Sequence, residues 1–166
     1  MTENRVALYA GSFDPPTLGH LDLIQRASNI FDRVIVGVAC NEQKNALFTV
    51  EERVDMLKLM TQTIAGVEIN TFEGLTVEYA KERGAIALIR GLRVVSDFEF
   101  ELSLAINNQK LNPKIDTVCL MPSEPYLFLS SRQVKEIASF GGRVSHYVTK
   151  DVEKRLYDKL TQKDRC

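Results

Sequence analysis

The chain has 166 residues, 45% hydrophobic and 26% charged, enough for one core and too few for two, so residues 1–166 read as a single domain. Lys and Arg number 21 against 22 Asp and Glu, a net charge of −1, so no overall field draws in nucleic acid or an anionic membrane, and any anion site has to be built locally. No apolar run approaches a membrane span and the polar opening Met1 to Arg5 is no secretory signal, which makes the cytoplasm the expected location.

The first short apolar run, about Val6–Ala10, reads as a strand, and Gly11-Ser12-Phe13-Asp14-Pro15-Pro16-Thr17-Leu18-Gly19-His20 follows it as a strand-to-helix turn. Backbone N–H groups at that helix mouth, with Gly19 and His20 beside them, suit an anion, although Thr17 to His20 alone leaves open a His that only caps or packs. Leu21, Ile24, Ile30 and Phe31 mark the apolar face of the first helix. A second strand at about Val34–Ala39 leads to the polar loop Asn41-Glu42-Gln43-Lys44, whose lysine reads either as an exposed charge or as one that swings over a phosphate. Thr49, three residues before Glu52, forms a capping box for a second helix with Val54, Leu57, Leu59 and Met60 on its apolar face.

A third strand at about Val67–Phe72 precedes a helix at about Thr76–Glu82 that ends near Gly84, and a fourth strand spans about Ala85–Ile89. Arg90-Gly91-Leu92-Arg93 then sets two guanidinium groups on one sheet edge, an arrangement suited to bidentate grip on phosphate oxygens. The next helix runs about Ser96–Leu111 and stops before Pro113; Asp97 and Glu99 read as solvated acids at its start, while Glu101 is better placed to reach a ribose or a partner side chain. After a fifth strand at about Thr117–Met121, the loop Pro122 to Leu129 opens a helix at Ser130-Ser131, where serine capping and a phosphate role are compatible. That helix ends at Gly141-Gly142, and a last one covers about Lys150–Gln162.

Strands alternating with helices predict an α/β fold, a doubly wound parallel five-stranded sheet with helices on both faces, whose ligands sit beyond the carboxyl ends of the strands. Neither Gly-x-Gly-x-x-Gly nor a P-loop occurs, and no Ser-His-Asp order, carboxylate pair or metal-ligand cluster stands out. Cys40, Cys119 and Cys166 are too scattered for a disulfide framework; the first two are expected as small buried residues at strand ends and Cys166 as an exposed terminal thiol. His146 is expected on the surface, away from the five loops. What the loops hold is a His, a Lys, arginines and hydroxyls without an evident nucleophile or strong base, a set suited to handling phosphates.

Gly-Ser-Phe-Asp-Pro with Thr-x-Gly-His resembles the nucleotidyltransferase superfamily related to class I aminoacyl-tRNA synthetases, which has a Rossmann-like fold. Phe48 to Arg53, Leu88 to Arg93, Asp97 to Glu101 and Ser130 to Glu136 narrow the resemblance, over about Arg5 to Leu160, to the bacterial phosphopantetheine adenylyltransferase family. The resemblance implies adenylyl transfer from ATP to 4′-phosphopantetheine, giving dephospho-coenzyme A and pyrophosphate in coenzyme A synthesis. It implies that Ser12 and Phe13 contact ATP, Ser12 also touching the acceptor, that His20 stabilises the transition state at the α-phosphate, that Lys44 binds phosphates of both substrates, and that Thr76 and Arg90 bind the acceptor. Gly91, Leu92, Arg93 and Glu101, with Tyr126, Leu127, Phe128, Leu129, Ser130, Ser131 and Arg132, would line the ATP site. Ser12 stands where many members carry Thr, and Arg132 where some carry a third hydroxyl. A homohexamer and feedback by coenzyme A are implied as well.

The attacking phosphate is already ionised at neutral pH, so direct in-line displacement without a general base or covalent intermediate is expected. Mg2+ is expected to arrive with ATP, its ligands supplied mostly by phosphates. The competing readings are a sister nucleotidyltransferase acting on nicotinate mononucleotide or a polyol phosphate, and an ATP-binding module without turnover.

Overall fold

A computed structural model describes residues 4–40 and 46–163. Its elements follow one another as β1 (Val6–Gly11), α1 (Leu18–Ser28), β2 (Arg33–Ala39), α2 (Val50–Thr61), β3 (Val67–Phe72), α3 (Thr76–Glu82), β4 (Ala87–Gly91), α4 (Val95–Leu111), β5 (Asp116–Leu120), α5 (Ser131–Ser139) and α6 (Lys150–Lys163). A short 3-10 turn at Glu124–Tyr126 precedes α5. The strands pair in parallel in the order β3-β2-β1-β4-β5. From β1 the chain moves outward through β2 to β3, then returns to lay β4 on the other side of β1. The carboxyl ends of β1 and β4 therefore flank the topological switch point, where a doubly wound sheet leaves a crevice.

Successive side chains of a strand point to opposite faces, and β1 divides its residues accordingly. Ala7 and Tyr9 join the apolar layer under α1 that includes Leu23, Ile24, Val36 and Leu57, whereas Val6, Leu8 and Ala10 join Val77 and Ala80 of α3 on the other side. A third cluster, around Met56, Val134, Val152 and Leu156, fixes α5 and α6 against α2. Ion pairs from Lys159 to Glu52 at 2.6 Å and from Arg155 to Asp55 at 2.7 Å brace the same contact.

The capping box at α2 is present: the Thr49 hydroxyl accepts the Glu52 N–H at 3.2 Å and the Glu52 carboxylate accepts the Thr49 N–H at 2.8 Å. Gly141 adopts φ of 75° beyond α5, a left-handed residue that lets the Gly142 N–H reach back to the Ile137 carbonyl at 2.9 Å and close the helix.

Several expectations need correction. The α2 face that turns inward consists of Arg53, Met56, Leu57 and Thr61, while Leu59 is 43% exposed. Ile30 lies beyond the end of α1 and is exposed, although Ile24 and Phe31 are buried. Cys119 is exposed, because β5 is an edge strand, and Cys40, just beyond the end of β2, is half-buried. Cys166 lies outside the described residues. No described helix is long and apolar enough to cross a membrane.

Candidate active site

Two cavities open at the switch point and share Ala10, Gly11, Ser12 and Arg90 in their walls. The first, about 370 Å3, is built from the loops after β1, β4 and β5. The second, about 230 Å3, is built from the loops after β1, β2 and β3, with Thr76 at the start of α3 and Arg53 from α2. A further cavity of about 280 Å3 continues past Thr76 and Arg90 to Leu104 and Asn108 of α4.

His20 occupies the third position of α1 and completes a capping box in which it takes the part usual for Glu or Gln. The Thr17 hydroxyl accepts the His20 N–H at 3.4 Å, and His20 Nδ1 accepts the Thr17 N–H at 2.9 Å. Because a backbone N–H only donates, Nδ1 is the acceptor nitrogen and the proton of the neutral ring sits on Nε2. Burial, followed by the nearby Arg93 charge, lowers the His20 pKa to about 4. The side chain borders the first cavity, edge-on to the Phe13 ring at 5.0 Å, as a neutral N–H donor throughout the neutral range. Phe13 itself is 1% exposed at φ of 50°, a left-handed conformation that costs a bulky residue energy and is held by the surrounding core.

That lowered pKa has a consequence for stability. Between about pH 4 and 6.5 the unfolded chain binds a proton on His20 that the folded chain refuses, so this group destabilises the fold as pH falls through that window and has no effect above it. Melting curves at pH 7 and pH 5 are expected to show a larger loss in the wild-type chain than in His20→Asn; equal losses would mean that His20 titrates normally.

The arginines of the fourth loop are tied to carboxylates. Arg90 donates from Nε and Nη2 to Glu101 at 2.6 and 2.9 Å, and Glu101 is buried. Arg93 pairs with Asp97 at 3.2 Å and donates from Nη1 to the Leu129 carbonyl at 2.9 Å, joining the fourth loop to the fifth. Asp97 is thus an ion-pair partner as well as an acid at a helix start. The fifth loop is fixed at its beginning too, where Asp22 accepts the Ser123 N–H at 2.8 Å and its hydroxyl at 2.6 Å while Arg26 donates to the Ser123 oxygen at 2.7 Å. Burial works against the Asp22 charge, but the Ser123 hydrogen bonds and Arg26 keep its pKa below the usual carboxylate range.

Asp14, also buried, accepts the N–H groups of Leu47 and Phe48 at 3.1 and 2.9 Å and the Lys135 ammonium at 2.5 Å. One carboxylate thereby fastens the first loop to α5 and to the chain just after Lys44, which itself lies outside the described residues.

Among the residues singled out from the sequence, the first cavity gathers Ser12, Phe13, His20, Arg90, Gly91, Arg93, Glu101, Tyr126, Leu129, Ser130 and Ser131. Leu92, Leu127, Phe128 and Arg132 are not in its wall; Leu92 donates its N–H to the Leu120 carbonyl, and Phe128 is 77% exposed against a separate apolar pocket with Tyr147. Thr76 borders the second and third cavities. A methyl group at Gly19 would meet Tyr126 Cβ at 3.5 Å, an ordinary contact, so packing alone does not demand glycine there.

Sequence reasoning passed over Tyr9, which lines the first cavity from the middle of β1 and whose hydroxyl burial pushes to a higher pKa. A tyrosine inside a strand covered on both faces was its available signal, since such a hydroxyl needs a partner. Arg53 was passed over as well, hidden in a helix start rich in charge. His146 is exposed, but the adjacent Tyr147 carbonyl accepts the Leu18 N–H at 2.8 Å, bringing that late segment to the mouth of α1. Among the described residues no group of three or more His, Cys, Asp or Glu side chains is arranged to hold a metal ion.

A parallel sheet with this switch-point crevice, cavities lined by arginines and a neutral histidine in the first turn of α1 has the build of a nucleotide-handling α/β protein. Residues 8–137 match the family model described as cytidylyltransferase-like. A phosphopantetheine adenylyltransferase from Caldanaerobacter subterraneus is 52% identical over 156 residues, 94% of this chain and 98% of that protein. One from Carboxydothermus hydrogenoformans is 49% identical over 162 residues, 98% of this chain and 99% of the relative. In fold, the chain resembles the Plasmodium falciparum nicotinic acid mononucleotide adenylyltransferase complexed with NaAD, with a TM-score of 0.65 and 15% identity over 97% of this chain and 96% of that one. The chain belongs to the phosphopantetheine adenylyltransferase family, within the cytidylyltransferase-like nucleotidyltransferases.

Proposed function

We propose that the protein transfers the adenylyl group of ATP to 4′-phosphopantetheine, releasing pyrophosphate and forming dephospho-coenzyme A, by direct in-line displacement in coenzyme A synthesis. The observation that carries this reading is the pair of cavities meeting at Ser12 and Arg90, one beside the His20 donor and one leading to Thr76. ATP belongs in the first, its adenine and phosphates against the loops of Gly91 to Arg93 and Tyr126 to Ser131, with Leu127, Phe128 and Arg132 in the outer part of the loop. The acceptor phosphate belongs at Arg90, with Lys44 contributing, and its arm runs past Thr76 toward Leu104 and Asn108.

The chemistry asks little beyond positioning. An ionised phosphate attacks the α-phosphorus, so the protein must hold two anions against their repulsion and meet the charge that develops on the α-phosphate and the leaving pyrophosphate. The Ser12 hydroxyl, the Gly19 N–H in the first turn of α1 and the N–H groups of Ser131 and Arg132 in the first turn of α5 supply donors, and His20 Nε2–H supplies one more. The lining of the first cavity does not fit a resident metal, because its one carboxylate among the described residues, Glu101, is engaged by Arg90. Magnesium enters as the magnesium-ATP substrate.

A homohexamer is proposed as well; what supports association is that Phe98, Phe100, Leu102 and Ile106 of α4 are all more than 40% exposed, apolar surface that contact between copies would cover. Coenzyme A carries the same arm as the acceptor and is the proposed feedback ligand of these cavities.

Pyrophosphate release separates the readings. Incubated with magnesium-ATP and one acceptor at a time, the chain is expected to turn over with 4′-phosphopantetheine and not with nicotinate mononucleotide or a polyol phosphate. Turnover with either of the latter alone, or with none, would overturn the assignment.

A further inference from the structure

Arg53 is only 5% exposed, on the first turns of α2, and borders the second cavity together with Ser12, Thr76 and Arg90. Its Nε donates to the Thr49 carbonyl at 3.2 Å and its Nη1 to the Ser12 carbonyl at 2.8 Å. Those bonds occupy part of a five-donor fork and neutralise none of its charge. Among the described residues, three other cations held near the two cavities each have a carboxylate: Arg90 has Glu101, Arg93 has Asp97 and Lys135 has Asp14. Among the described residues Arg53 has none within ion-pair distance. A guanidinium withdrawn from water without a counter-charge is costly, and an uncompensated one beside a cavity is a standing attraction for an anion. The planar fork, oriented by two carbonyls, matches the oxygens of a phosphate monoester.

We propose that Arg53 completes the subsite for the acceptor's phosphate, contributing the unneutralised charge there while its bond to the Ser12 carbonyl holds the turn at the junction of the cavities. The assignment rests on the acceptor reading above. It points to the acceptor and not to ATP because Arg53 borders the second cavity and is absent from the wall of the first. The subsite therefore recognises a dianionic phosphate monoester by charge, separately from the arm behind it.

The test is calorimetric titration of the full chain, without ATP, by 4′-phosphopantetheine and by pantetheine, which has the arm and lacks the phosphate. In Arg53→Gln the affinity for 4′-phosphopantetheine is expected to fall about 10- to 100-fold, the scale for removing a hydrogen-bonded charged partner, while pantetheine binding and the KM for ATP stay within about twofold. Arg53→Lys, which keeps the charge and the bulk, is expected to retain most of the preference for the phosphorylated ligand and secures the test should the Gln variant not fold. Equal weakening of both ligands in Arg53→Gln would reduce Arg53 to a prop for the turn and overturn the proposal, as would an unchanged affinity or a folded Lys variant without the preference. A wild-type chain that binds both ligands alike would instead overturn the acceptor reading, and the proposal with it.

Discussion

Replacing His20 by alanine is expected to lower kcat by about 10²–10³-fold while the chain remains folded, the scale for removing one preorganised donor to an oxyanion. The expectation follows from the hydrogen bonds of the ring. The Thr17 N–H takes up Nδ1, and the lowered pKa keeps the ring neutral, so Nε2–H is a fixed donor beside the first cavity and does not compete as a cation with the arginines for phosphate. A general base is not needed, so the loss should fall on kcat more than on the KM of either substrate. The same substitution removes part of the α1 cap, at about 1 kcal/mol of stability, and a melting curve separates that effect from the kinetic one. Steady-state rates within a fewfold of wild type would leave His20 as a capping residue. The acid limb of the rate profile should lie near pH 6, where the acceptor's phosphate dianion takes up a proton, and not near pH 4, where His20 titrates.

Breaking the Arg90–Glu101 pair is expected to have the second large effect. Glu101 is 8% exposed and accepts two hydrogen bonds from one guanidinium, so Glu101→Ala leaves Arg90 charged, partly buried and without its counter-charge. Losing one partner of a buried pair costs about 3–5 kcal/mol, and the lower end applies because the cavity admits water to Arg90. Denaturant unfolding of Glu101→Ala, Arg90→Ala and the double variant should give a double cost well below the sum of the singles, since the second change removes the orphan left by the first. Additive costs would mean the pair is not coupled in solution. In kinetics, Arg90→Ala should raise the KM of the acceptor more than that of ATP; equal increases would contradict the acceptor role of Arg90.

The sheet and most of its helices were legible because their causes are local. Periodicity located all five strands to within a few residues, and α3 occupies the predicted Thr76–Glu82. The Thr49 cap was readable because both of its partners lie within one turn. Local reasoning failed where burial depends on neighbours in space. Cys119 sits on an apolar run and is exposed because β5 ended up at an edge, and strand order is not encoded in the pattern of any one strand. Leu59 continues an apolar sequence on α2, but the inward face of that helix was claimed by Arg53 and Met56.

The candidate site divides in the same way. Thr17 to His20 and Arg90 to Arg93 are short segments whose composition suits anions, so the sequence alone picked out segments that the fold brings to one cavity, the one proposed above to hold ATP. Which charges remain available there was a tertiary matter. Arg90 and Arg93 look free in sequence and are paired in the fold, while Arg53, which looks like one more charge on a polar helix start, is the buried cation without a carboxylate among the described residues. Asp14 meets Lys135 across 121 positions of chain, and Asp22 meets Ser123 across 101. The physical reason is the range of the forces involved. Strand and helix signals come from backbone geometry and near neighbours, whereas the charge a buried group presents depends on what the whole chain brings within a few ångströms of it.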